Sequence, residues 1–184
     1  EKLPKLSILT YGLGDLFNQN DYVDIATRSF NFREFFRVHE PNEDHPELEG
    51  TFVHLDDVNK FLDLISGIQS HDNTNFPFTK QFRNQLRHSF WLLPGVKEAH
   101  ALSQLLKDHA VFNSYNIANV AGEGDDDTSF DNALDVVNTQ ITNTPHLTRS
   151  ITLSVGRLTT GVNVPEWTSV LMLANTNSPI TYLQ

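Results

Sequence analysis

The chain contains no cysteine in its 184 residues. That excludes disulfide staples, thiolate nucleophiles and cysteine-held metal clusters, and it accords with a cytoplasmic setting. Bases are scarce too: 13 Lys and Arg stand against 23 Asp and Glu, a formal charge of −10. Such a balance speaks against a surface that grips nucleic acid over its whole extent. It leaves room for a narrow track of loops, hydroxyls and backbone amides along a phosphate backbone. No apolar run approaches the ~20 residues of a membrane-spanning helix. The opening EKLPKLS lacks the charged-then-apolar pattern of a signal peptide. There is no G-x-x-x-x-G-K-[ST] phosphate loop, no G-x-S-x-G elbow and no H-E-x-x-H pair. No complete catalytic constellation is present.

What the chain does have is core material. Hydrophobic residues make up 39% and aromatics 10%, a globular composition sufficient for one sizeable core with an appendage. The character changes near His88. Residues 1–88 offer a short strand in LSILTY (6–11), then phenylalanine-rich and acidic material. A helix is expected over 56–66, where Leu55, Val58, Phe61, Leu62 and Ile65 recur at helical spacing behind Asp56 and Asp57. A loop with HDNTNFP follows, then a helix over 79–87.

From Ser89 the order becomes regular. SFWLL (89–93) reads as a strand closed by Pro94 and Gly95, and VKEAHALSQLLKDH (96–109) as a helix. NIANVA (116–121) is a second strand. Thr128 and Asp131 form a capping signal for a helix reaching Ile141. SITLSV (150–155) and SVLMLA (169–174) are two further strands. Strands alternating with helices predict βαβ units and a mainly parallel sheet with helices on both faces. Ligands of such sheets sit beyond the carboxyl ends of the strands. The loops to watch are therefore PGVK, GEGDDD and GRLTTGVNVP.

Each candidate site has a plainer alternative. HEPNEDH (39–45) could ligate a metal but reads more simply as a solvated acidic loop. GEGDDD (122–127) could hold Mg²⁺ through carboxylates, or be a turn whose acids face the next helix start. KQFRNQLR (80–87) sets Lys80, Arg83 and Arg87 on one helical face, a phosphate-backbone or a solvated surface. RSFNFREFFR (28–37) mixes three arginines with four phenylalanines, which suits base stacking or, more simply, a core. YGLGDLF (11–17) lacks the third glycine of a dinucleotide loop. In GRLTTGVNVP, the Thr159 and Thr160 hydroxyls can donate to phosphate oxygens, and Gly161 admits close approach to the backbone.

The succession FWLLPGVKEA, NVAGEG, ITLSVGRLTTGVNVP, SVLMLA and YLQ resembles the second RecA-like domain of superfamily 2 helicases and translocases. The wording is most similar to helicase-like proteins of bacterial restriction–modification systems. The resemblance covers residues 89–184 and implies a three-layer RecA-like α/β domain with an N-terminal helical insertion in 1–88. It also implies motif roles by position. Pro94, Gly95 and Lys97 match the motif IV loop that touches the nucleic-acid strand. Ser154, Gly156, Arg157, Thr159 and Thr160 match the motif V residues on the nucleic-acid backbone. Gly161, Asn163 and Gln184 match ATP-coupling positions. Asn163 stands where the family often has aspartate, and Gln184 opens motif VI, so the arginine fingers of that motif are absent. The implied cofactors are ATP and Mg²⁺, bound jointly with a first RecA-like domain that this sequence lacks. The implied partners are DNA, contacted without sequence specificity, and nuclease or methyltransferase modules. The expectation is a cytoplasmic ATP-hydrolysing motor fragment that is inactive alone. The alternatives are a non-catalytic RecA-like interaction or regulatory module, distinguishable by DNA titration, and an unrelated metal-using α/β enzyme built on GEGDDD and nearby histidines.

Overall fold

The computed structural model describes residues 7–10, 12–13, 17, 22, 29–68, 76–122 and 127–175. Its contacts divide the chain between Asn31 and Phe32, and no division falls at residue 88. In the first unit, residues 7–10 carry no strand, and Ile8 and Leu9 are exposed. Of the strand expected over 6–11, residues 7–10 thus carry none, and Leu6 and Tyr11 lie outside the described residues. Phe17, Tyr22 and Phe30 form a ring cluster in that unit. Of YGLGDLF, only Gly12, Leu13 and Phe17 lie among the described residues.

The second unit opens with two helices, α1 (Phe32–Phe35) and α2 (Leu55–Ser66). Two of the four phenylalanines of RSFNFREFFR behave as core: Phe35 and Phe36 are buried and meet Phe61 edge-on, at 5.9 and 6.1 Å between ring centres, while Phe30 and Phe32 are half-buried. The acidic segment HEPNEDH is an exposed excursion closed at its base by a Val38–Phe52 bridge. Helix α2 buries the apolar side its spacing dictated: Val58, Phe61, Leu62 and Ile65. It stops at Gly67, whose φ of 79° allows Ile68 N–H to bond back to the Asp63 carbonyl at 3.0 Å.

The helix expected over 79–87 is absent. Residues 80–85 make successive turns, with isolated bonds from Phe82 and Arg83 to the Thr79 carbonyl and from Gln85 and Leu86 to that of Phe82. The ladder never becomes continuous. Phe76 and Phe78 anchor the segment in the core instead, a tertiary demand that outweighs weak local propensity.

From here sequence and structure run together. Strand β1 (His88–Leu92) leads to α3 (Val96–Asp108), then β2 (Asn116–Asn119), α4 (Asp127–Ile141), β3 (Ser150–Ser154) and β4 (Trp167–Met172). All pairings are parallel and the order is β2-β3-β1-β4. Parallel strands buried on both faces need continuous apolar or small residues, and β1 and β3 are buried at every position.

Handedness explains the layers. The connection β1–α3–β2 steps past β3 in one direction, while β2–α4–β3 steps back the other way. Right-handed crossovers in opposite directions must lie on opposite faces. The packing agrees. Phe90, Leu92 and Ala118 join Ala133, Val137 and Ile141 of α4 in one core. On the reverse face, Trp91 meets Phe78 at a tilt and Phe112 edge-on, at 5.2 and 5.7 Å between ring centres. The second unit is a three-layer α/β sandwich of the kind RecA-like domains use. The β3–β4 connection crosses β1 on the α4 face with no helix, held by Leu158 and Val164.

Candidate strand-end site

Adjacent strands β1 and β3 send their chains to opposite faces, β1 to α3 and β3 across the α4 layer. That is a topological switch point, where the carboxyl edge of an open parallel sheet forms a crevice. The ladder continues just far enough to align the emerging loops. Leu93 N–H bonds the Ser154 carbonyl at 2.8 Å, Val120 N–H bonds that of Leu153 at 3.0 Å, and Leu173 N–H bonds that of Leu92 at 2.9 Å. The loops after all four strands thus leave from one edge.

The loop after β3 is built by its own hydroxyls. Ser154, fully buried, donates Oγ–H to the Arg157 carbonyl at 2.6 Å and receives Gly156 N–H at 3.2 Å. Thr159 Oγ1 donates to the Gly156 carbonyl at 2.7 Å. These bonds close a tight arc with three residues in left-handed backbone: Gly156 (φ 143°), Leu158 (φ 60°) and Gly161 (φ 74°). Leu158 is the costly one, because a side chain at positive φ is strained. Its burial in the α4-side core holds it there.

The arc sets Thr160, Gly161 and Asn163 outward and exposed, while Thr159 is half-buried. Nothing lies within 4 Å of where a side chain on Gly161 would begin, so the backbone is open to approach. Arg157 Nη1 lies 3.5 Å from the corresponding position at Gly122, which joins the loops after β2 and β3. Pro94 and Gly95 occupy the loop after β1, Gly95 capping α3 in extended backbone. Glu98 folds back over that cap, its Oε2 filling the place where a Gly95 side chain would begin, so the start of α3 is already faced by its own carboxylate.

Lys97 is ion-paired with Glu40 at 2.5 Å, and the hydrogen bond to Glu40 holds its ammonium above the ordinary lysine range. Sequence reasoning missed this link, because only the fold brings the 38–52 excursion over to α3. It also missed Asn175, after β4, whose Oδ1 accepts Phe32 N–H at 3.0 Å and ties α1 to the same edge. Gln184 lies outside the described residues, as do 123–126 of GEGDDD. The structure thus gathers Pro94, Gly95, Ser154, Gly156, Arg157, Thr159, Thr160, Gly161 and Asn163 at one edge, with Lys97 on the first turn of α3.

Two other features are separate from it. An open hollow of about 420 Å³ lies at the start of α2, lined by Val53, His54, Leu55, Asp56, Asp57 and Lys60. None of these belongs to a strand-end loop. Beside it, His54 Nε2 sits 2.8 Å from Glu34 Oε1, and Arg37 holds the same carboxylate. Burial pushes the Glu34 carboxyl up, but its bonds to His54 and Arg37 outweigh that and hold it below the usual range. Among the described residues, no group of three or more His, Asp or Glu is arranged to hold a metal ion. Nor is any described helix long and apolar enough to cross a membrane.

Comparison with known proteins finds a distant relative. Over 196 aligned positions the chain is 24% identical to a protein of Mycoplasma pneumoniae provisionally named as the C-terminus of a type II restriction enzyme and methyltransferase. The alignment takes in 98% of this chain and 26% of that protein, so the chain spans about a quarter of the length of its relative. No family model matches, and no solved structure does.

Proposed function

We propose that this chain is the second motor domain of an ATP-dependent DNA helicase or translocase belonging to a restriction–modification protein. One observation carries the reading: the loops of adjacent parallel strands converge at a switch point with Thr160 and Gly161 exposed and Arg157 half-buried beside Gly122. Two further facts support it, the motif order along 89–184 and the similarity to part of a restriction and methylation protein.

On this reading the residues divide their work. Thr160 and Arg157, with the Pro94–Gly95 turn, contact the phosphate backbone of DNA, giving affinity without sequence preference. Lys97 joins them by exchanging Glu40 for a phosphate. Ser154 and Thr159 spend their hydroxyl protons inside the loop, so they shape the arc and leave contact to their neighbours. Gly161, where a phosphate or ribose can reach the backbone, and the exposed Asn163 carboxamide fit the edge of a nucleotide site. ATP with Mg²⁺ supplies the free energy of the cycle, held jointly with a first RecA-like domain. Nuclease or methyltransferase modules in the same protein would use the resulting movement.

The test is Thr160→Ala in the full-length protein. DNA-stimulated ATP hydrolysis should fall about tenfold, the worth of one charge-assisted hydrogen bond, with basal hydrolysis little changed. Unaltered stimulation would sink the assignment. Absence of any DNA binding by the unmodified full-length protein would instead favour a non-catalytic interaction module.

A further inference from the structure

The opposite edge of the sheet carries a second feature that the strand-end loops do not explain. Tyr115, Arg149 and Arg87 immediately precede β2, β3 and β1, and the register sets them side by side. Asn116 N–H bonds the Arg149 carbonyl at 2.8 Å, and Ser150 N–H bonds the Arg87 carbonyl at 3.0 Å. Arg83 joins them, since Arg149 reaches across to Asn84, the residue next to it; burial raises the Tyr115 hydroxyl, and the charges of Arg149, Arg83 and Arg87 oppose that. In a chain with a surplus of ten negative charges, none of these three arginines forms a salt bridge among the described residues. Arg149 Nη2 donates only to the neutral Asn84 Oδ1, at 2.5 Å.

Buried polar atoms ordinarily have partners. Here three do not: the Tyr115 hydroxyl, on a residue 5% exposed, Arg83 Nε and Arg149 Nε. Three uncompensated guanidinium groups and an orphaned phenol at one strand edge lack what would satisfy all of them, an oxyanion with several acceptor oxygens. Arginine's planar fork suits phosphate in particular.

We propose that Arg83, Arg87, Arg149 and the Tyr115 hydroxyl form a phosphate-binding site at the amino edge of the sheet, distinct from the strand-end crevice. The site does not depend on the motor reading. Its ligand is a phosphate group, carried either as free phosphate or within a nucleic-acid backbone.

The experiment uses the 184-residue chain with inorganic phosphate and, separately, a short DNA duplex. Phosphate should raise the melting temperature above that in chloride of equal ionic strength. Arg83→Gln and Arg149→Gln should each weaken the apparent phosphate affinity about tenfold or more. Tyr115→Phe keeps the ring and removes only the hydroxyl, so it should weaken binding by several-fold with the fold intact by circular dichroism. A response confined to the duplex, with the slope of log K against log salt shallower by about one per arginine removed, assigns the phosphate to nucleic acid. If wild type responds to neither ligand, or if wild type and Tyr115→Phe respond alike to both, the site does not exist.

Discussion

His88 and His109 illustrate why histidine number says little about chemistry. His88 is 3% exposed, with Nε2 donating to the Pro145 carbonyl at 2.8 Å and Nδ1 2.9 Å from Ser150 Oγ. Both ring nitrogens are spent on structure. His109 is nearly buried, and its Nδ1 accepts two backbone N–H groups, from Val111 and Phe112. Its Nε2 lies 3.3 Å from Asp63 Oδ1 but off a good hydrogen-bond line, so the carboxylate offsets only part of the cost of burial. Burial therefore depresses the His109 pKa, with Asp63 opposing. The sign follows: the unfolded chain takes up a proton near pH 6.5 that the folded chain resists. This contribution to stability is complete above that pH and is lost as pH falls through the folded value. Urea melts between pH 5 and 7.5 should show stability dropping toward acid, with a smaller drop in His109→Gln. Equal slopes in the two proteins would contradict the assignment. None of this was legible in the sequence, where eight histidines looked alike. Their partners come from residues such as Pro145 and Asp63, brought near only by folding.

Among elements, the strands and long helices were readable and the short irregular pieces were not. Strands β1 and β3 announce themselves because a strand buried on both faces tolerates little but apolar and small residues, and α2 and α3 because their apolar spacing has no rival reading. Residues 79–87 misled because Phe82 and Leu86 mimic helical spacing while Phe76 and Phe78 hold the chain to the core. The residue types of the strand-end arc were readable too, but their division of labour was not. That Ser154 and Thr159 build the loop while Thr160 faces out depends on backbone geometry around Leu158. The left-handed Leu158 gives a test with an unusual ordering. Glycine there relieves strain of about 1 kcal/mol but forfeits the ~2–3 kcal/mol of a buried leucine. Leu158→Gly should thus lose about 1–2 kcal/mol. Leu158→Ala keeps the strain and loses most of the burial, so it should be the less stable of the two. Chemical denaturation ranks them, and alanine above glycine would refute the strain.

For the molecule as a whole, the alternation of strands and helices was legible where no single motif was. Net charge pointed away from nucleic acid, yet it is an average: five of the 23 acids sit in the exposed 40–50 excursion, whereas Arg83, Arg87 and Arg149 gather at one edge. The sequence contains no phosphate-cradling glycine loop with a lysine, so on the proposed two-domain reading nucleotide binding requires the other domain. The purified 184-residue chain should therefore release no phosphate from ATP above the buffer rate, with or without DNA. Sustained turnover in a coupled phosphate-release assay would overturn the two-domain reading.

The β3–β4 crossing has a mechanical consequence. It is an arc pinned at Leu158 and Val164, and both pins sit in the core shared with α4. A pull on Thr160 or Gly161 is therefore delivered to the aliphatic layer under α4. The aromatic layer of Trp91, Phe78 and Phe112 lies across the sheet, outside that load path. The domain has one side that takes the strain of the strand-end loops and another that serves as its rigid backing.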